Sequence, residues 1–88
     1  MKVVDGFVVC NVAGKTVAVA SGKLSKKFNG MITLNASGEE LFKMLQVGTD
    51  EEKMVARLME LYEIDEETAK KDVRAFLAGL EDAKLIVD

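Results

Sequence analysis

The feature that most constrains this chain is a change of hydrophobic period. Up to about residue 30 apolar side chains tend to recur at every second position, and beyond it they recur at three- and four-residue spacing. A period of two alternates side chains between the two faces of a strand, whereas a period of 3.6 lines one stripe of a helix. A strand-rich first third followed by helices is expected, and at 88 residues there is chain for one core and not for two.

In the first third, Phe7-Val8-Val9-Cys10-Asn11-Val12 and Thr16-Val17-Ala18-Val19-Ala20 are β-branched-rich runs joined by Ala13-Gly14-Lys15, the pattern of a tight hairpin. Ser21 to Gly30 is polar and basic and closes with Asn29-Gly30, a dipeptide suited to a turn with positive φ. A third short strand, Met31-Ile32-Thr33-Leu34, follows directly. Apolar residues on both alternations mean that helices must cover at least part of this sheet.

Three helices supply that cover. The first opens in Asn35-Ala36-Ser37-Gly38, where Asn35 can cap directly or Ser37 can form a capping box with Glu40, and it buries Leu41, Phe42 and Leu45 before Val47-Gly48. The second is expected to start at Thr49, with Glu52 completing a capping box, and its apolar positions Met54, Val55, Leu58, Leu61 and Tyr62 follow a helical spacing. Asp65 caps the third, whose Ala69, Val73, Phe76, Leu77 and Leu80 form one stripe, and Leu85-Ile86-Val87 packs back as an extended tail. The expected class is α+β, a three-stranded antiparallel sheet followed by three helices in a single domain over residues 1–88.

Composition enters by what it lacks. There is no His and one Cys, so an imidazole base, a histidine metal ligand, an internal disulfide and a thiolate cluster are all excluded. Paired carboxylates are plentiful (Glu39-Glu40, Asp50-Glu51-Glu52, Asp65-Glu66-Glu67, Glu81-Asp82), but they fall in helix first turns or on exposed faces, where nothing raises a pKa for acid–base work. No Gly spacing forms a phosphate cradle. No catalytic residue and no cofactor or metal is expected, and the chain reads as a binding module. Met1-Lys2-Val3-Val4-Asp5-Gly6 is no secretory signal, and no apolar run approaches the roughly 18 residues of a membrane span, so a cytoplasmic protein is expected.

Charge is divided. Residues 1–30 hold five Lys against one Asp, a net +4, and residues 31–88 hold seven basic against fourteen acidic groups, a net −7. A nucleic-acid reading would use Lys70, Lys71 and Arg74 on the third helix, but Asp65-Glu66-Glu67 at its first turn would repel phosphate. Glu66 and Glu67 precede Lys70 and Lys71 by four residues, so surface ion pairs account for those lysines equally well. A third reading takes Lys70 and Arg74 as the cationic edge of a groove floored by Val73 and Leu77, suited to an extended acidic peptide. The strand Met31-Ile32-Thr33-Leu34 has no charge and no Pro to blunt it, so at a sheet edge it could accept an added strand unless a neighbouring strand or the tail covers it.

The run Phe28-Asn29-Gly30-Met31-Ile32-Thr33-Leu34-Asn35-x-x-Gly38, with Tyr62-x-x-Asp65-x-x-x-Ala69-x-x-Asp72-Val73-x-x-Phe76-Leu77-x-x-Leu80 downstream, resembles the PqqD family. The likeness implies a winged-helix-like domain that is no enzyme. Its relatives act as peptide chaperones, the recognition elements of ribosomally made, post-translationally modified peptide (RiPP) pathways such as pyrroloquinoline quinone (PQQ) biosynthesis. They capture the leader of a precursor peptide beside the third strand and against the third helix, and present it to a radical SAM or other modifying enzyme. Carried over, this points to Met31, Ile32 and Thr33 as strand partner and to Lys70, Val73, Arg74 and Leu77 as groove wall. The chain departs from many relatives at Ala36-Ser37, at Phe42 and at Ala83-Lys84, where a helix-ending Gly is common. A winged-helix nucleic-acid binder and a small structural or oligomerisation module are the alternatives, and a homodimer sharing the open edge would block the peptide site.

Overall fold

The computed structural model describes every residue except Asn29 and Asp88. Nine elements follow in order: β1 (Lys2–Val3), β2 (Phe7–Val12), β3 (Lys15–Ala20), α1 (Leu24–Lys27), β4 (Met31–Leu34), α2 (Ala36–Val47), α3 (Glu51–Leu61), α4 (Glu66–Asp82) and β5 (Ile86–Val87). The expected α+β arrangement is present. An antiparallel sheet of order β2-β3-β4 precedes the three long helices, and a separate two-stranded pair joins β1 to β5.

Three details differ from the expectations. Lys15 pairs with Val12, so the hairpin loop is only Ala13-Gly14, and both residues have positive φ (52° and 80°), which matches the right-handed twist of the flanking strands. The basic segment 21–30 contains a one-turn helix, α1, whose Leu24 and following Phe28 pack on the core. Asn29, half of the expected Asn29-Gly30 turn, lies outside the described residues. The cap of α3 is Asp50 and not Thr49: Asp50 Oδ1 accepts from the Lys53 amide at 2.8 Å, while the buried Thr49 hydroxyl has no partner among the described residues.

The core lies between one face of the sheet and the helices. Phe7, Val9, Ala18, Ile32 and Leu34 point inward to meet Leu41, Phe42 and Leu45 of α2, Met54 and Leu58 of α3, and Ala69, Val73, Leu77 and Leu80 of α4. Phe7 joins the layers through edge-on contacts with Phe42 and Phe28, their ring centroids 5.4 and 5.5 Å away. Each fully buried Leu or Phe contributes about 1.5–3 kcal/mol, enough in sum to hold a sheet this small against three helices. The opposite alternation faces outward in cross-strand rows, Val8-Val19-Met31, Cys10-Val17-Thr33 and Val12-Lys15.

The tail answers the question of the sheet edge. Val3 pairs with Ile86 and Lys2 with Val87, antiparallel, so the tail takes the first residues of the chain as its partner. β4 pairs with β3 through Val19–Met31 to Thr16–Leu34, and no strand among the described residues pairs with its other side.

Candidate functional site

β4 gives way to α2 within one residue because Asn35 is both the end of the strand and the helix cap. Its Oδ1 accepts from the Gly38 amide at 2.7 Å and from the Ser37 hydroxyl at 3.1 Å, which selects direct capping by Asn35 over a Ser37 box. Gly38 is needed for a different reason. A Cβ there would stand 3.0 Å from Asn35 Oδ1 and 3.3 Å from Phe76 Cε1, so the missing side chain lets the Phe76 ring lie against the first turn of α2. The Leu-Asn-x-x-Gly step thus fixes how α4 sits beside β4.

Between them runs a groove of about 320 Å³. On the sheet side it is lined by Phe28, Ile32 and Thr33, on the helix side by Ala75, Phe76, Gly79, Leu80 and Ala83, with Leu85 of the tail completing the lining. A second recess, lined by Asn35, Ser37, Gly38, Leu41 and Asp72, shares Ala75 and Phe76 with it and continues the furrow toward the start of α2. Ala75, Gly79 and Ala83 recur every fourth residue, which leaves one shoulder of α4 low. No side chain stands within 4 Å of where a Gly79 Cβ would be.

The sequence-predicted residues separate into two groups. Met31, Ile32 and Thr33 lie on the open strand, with Ile32 turned to the core side and into the groove, Thr33 at its lip, and Met31 58 % exposed on the outer face. The four residues expected as the helix wall lie elsewhere on α4. Val73 is 0 % exposed and Leu77 5 %, because both belong to the core stripe of α4. Lys70 and Arg74 lie on the far shoulder, where they border a separate polar recess with Glu51, Glu52 and Glu66. Arg74 Nε contacts Glu51 Oε1 at 3.2 Å and Lys70 Nζ contacts Glu66 Oε1 at 3.1 Å, so surface pairing accounts for both cations. The four residues expected as a wall therefore line none of the β4–α4 groove.

What the spacing argument missed is Ala75, Phe76, Gly79 and Ala83. A signal for them existed, since a glycine in a helix interior costs about 1 kcal/mol and is kept there for a packing or functional reason. Phe76, expected within the buried stripe, sits at its margin and is half-buried, shared between core and groove.

The groove carries no chemistry of its own. Its lining is apolar except for Thr33, with Asp72 in the adjoining recess, and among the described residues no cluster of three potential metal ligands occurs. Resolved ionisation shifts fall elsewhere. The hydrogen bond and charge of Lys43, 2.8 Å away, hold the Glu39 carboxyl below its usual value, and Glu39 raises the Lys43 ammonium in return. Arg57 is raised by Glu40, at 3.0 Å, and Asp65 is lowered by hydrogen bonds from Thr68. Both shifted carboxyls move away from the neutral form that a general acid needs. A free strand edge beside an apolar furrow can bind an extended chain through main-chain hydrogen bonds and side-chain burial.

Comparison with known proteins gives two findings. The family described as coenzyme PQQ synthesis protein D (PqqD) matches residues 8–86. A solved structure described as TbiB1 in complex with the TbiA(beta) leader peptide superposes with a TM-score of 0.75 at 24 % identity, covering 100 % of each chain, and so shares the fold. No curated protein matches the sequence. Among the described residues, no helix is long and apolar enough to cross a membrane.

Proposed function

The chain belongs to the PqqD family, and on that premise we propose that it is a non-catalytic adaptor that captures the leader segment of a precursor peptide and presents it to a modifying enzyme. One observation carries the reading: β4 has a free edge, and that edge borders the apolar groove against α4. The peptide adds as a strand along Met31, Ile32 and Thr33 and buries alternate side chains against Phe28, Ala75, Phe76 and Gly79. That the TbiB1 fold has been solved with a leader peptide supports the same reading.

The enzyme served is a radical SAM protein or another peptide-modifying enzyme, and a reducing cytoplasmic setting suits the unpaired, exposed Cys10. The family's description does not make this chain's product pyrroloquinoline quinone. The nucleic-acid alternative draws little from α4, where Lys70 and Arg74 are engaged by carboxylates and Lys71 alone makes no ion pair among the described residues. A second copy could add its own β4 to this edge, and in that case peptide binding would compete with dimer formation.

The test is calorimetric titration with a synthetic leader from the precursor encoded beside this protein, alongside the same peptide N-methylated at alternate amides. Strand addition predicts saturable binding to the first and at least about tenfold weaker binding to the version whose methyl groups fall on the amides facing β4. Equal affinity for both methylation registers and the parent would remove strand addition, and binding of duplex DNA without peptide would overturn the adaptor reading.

A further inference from the structure

The outer face of the three-stranded sheet is an apolar surface that the proposed function leaves unused. Val8 is 52 % exposed, Val12 47 % and Met31 58 %, and the exposed Cys10 and half-buried Val19 lie between them on the same alternation. Val17, in the middle strand of the same alternation, is 3 % exposed, so the free apolar surface is the rim of Val8, Cys10, Val12 and Met31 around it, and contiguous apolar patches on soluble domains commonly mark interaction sites.

Its charge is as one-sided as its polarity. Residues 6–38 contain no Asp or Glu, and their four charges are Lys15, Lys23, Lys26 and Lys27. Lys15 lies at the hairpin end of the face, and the other three lie in the connection that leaves the sheet at Ala20 and re-enters it at Met31. Among the described residues none of the four makes an ion pair, although the helical half of the chain carries excess carboxylates. An apolar centre with unpaired lysines at both ends complements an apolar patch rimmed by Asp and Glu. Face-to-face pairing of two copies would bring like charges together. Nucleic acid is a poor fit for a centre of Val, Cys and Met with no aromatic or Arg contact.

We propose that this face docks the modifying enzyme itself, through an apolar patch rimmed by carboxylates on that enzyme. The face includes Met31 and Thr33, the outward residues of the strand whose edge takes the peptide, so an enzyme seated here is held directly beside the bound leader. Naming the partner as the enzyme rests on the adaptor reading. The surface itself does not.

The experiment measures binding of the peptide-modifying enzyme encoded beside this protein, without peptide present, to the wild-type chain, to the double variant Val8→Glu/Val12→Glu and to Lys15→Glu/Lys26→Glu. The valine variant is expected to lose at least about tenfold in enzyme affinity, as removal of a central contact does. The lysine variant should bind more slowly and with weaker salt dependence. Leader affinity should stay within about twofold in both, which also reports that they fold. In the wild-type protein, bound enzyme should slow alkylation of Cys10, an exposed probe on the face between Val8 and Val12.

Unchanged enzyme affinity in the valine variant, unprotected Cys10, or no binding by the wild-type chain would each overturn the proposal. So would binding at this face of a second copy, of duplex DNA or of vesicles containing phosphatidylserine, if Val8→Glu/Val12→Glu abolished that binding and spared the enzyme's. Wild-type protein that binds enzyme at this face but no leader would sink the adaptor reading and leave the docking face standing. The reverse result would do the opposite.

Discussion

On one shoulder of α4, Lys70 and Arg74 are drawn to Glu66 and Glu51, and on the other Ala75, Gly79 and Ala83 leave a furrow beside β4. The first shoulder has the residues that look functional in a sequence, cations at helical spacing beside a hydrophobic ridge. The second has the least conspicuous residues in the helix. In the folded chain the charges are already satisfied by neighbours, whereas the small residues leave room next to an unpaired strand. Availability for a ligand is decided by what the rest of the fold has left unfilled.

That contrast can be broken most directly at Gly79. Gly79→Leu meets no atom within 4 Å at its Cβ, so the chain should fold. Its helix should gain up to about 1 kcal/mol from propensity. The new side chain fills the groove, and leader affinity measured by calorimetry should fall about 50-fold or more, the effect of blocking a central pocket. Retained affinity would place the peptide elsewhere.

On the charged shoulder the expected effect is much smaller. Lys70→Ala/Arg74→Ala should leave leader affinity within about twofold and alter stability in urea by less than about 1 kcal/mol, as exposed pairs do. A large loss of peptide binding would restore the cationic edge that spacing alone suggested.

The smallest effect concerns the cap that starts the helix both shoulders share. Asp65 Oδ1 accepts from the Thr68 amide at 2.8 Å, and these hydrogen bonds lower its pKa in the folded chain. A lowered folded pKa means that the stabilisation is complete above the ordinary aspartate value of about 3.9 and is lost as pH falls through the folded value. Thermal unfolding between pH 5 and about 2 should show part of the acid destabilisation vanish in Asp65→Asn. An unchanged profile would mean that the cap does not contribute.

Much of this fold was legible because it is local. The hairpin, the strand 31–34, the Asp65 cap and the apolar stripe of each helix are set by residues within a few positions of one another. Thr49 lost the cap of α3 to its neighbour Asp50, a one-residue shift of the kind spacing resolves poorly. What could not be read is long-range. The pairing of Arg74 with Glu51 crosses from α4 to α3, and it decides which shoulder is spent. The tail's choice of Lys2–Val3 over β4 decides whether the sheet edge is open, and nothing near residues 85–87 indicates it. The exit of α4 shows local geometry overriding preference. Lys84 takes φ of 60°, and the Leu85 amide reaches back to Leu80 O at 2.9 Å, so the helix ends in a left-handed loop of the kind that usually holds Gly.

The β1–β5 pair joins residues 2–3 to 86–87 and so closes a ring out of almost the whole chain. Contacts that distant form only after the intervening elements have shortened the path between them, and a pairing of two residues on each side is held by few bonds. It is expected to assemble late and to fray early, so its amides should exchange with deuterium long before those of α2. Leu85, one residue before β5, is part of the groove lining. Each opening of that pair therefore loosens part of the lining against which a leader would rest, and a bound leader would slow exchange in β1 and β5.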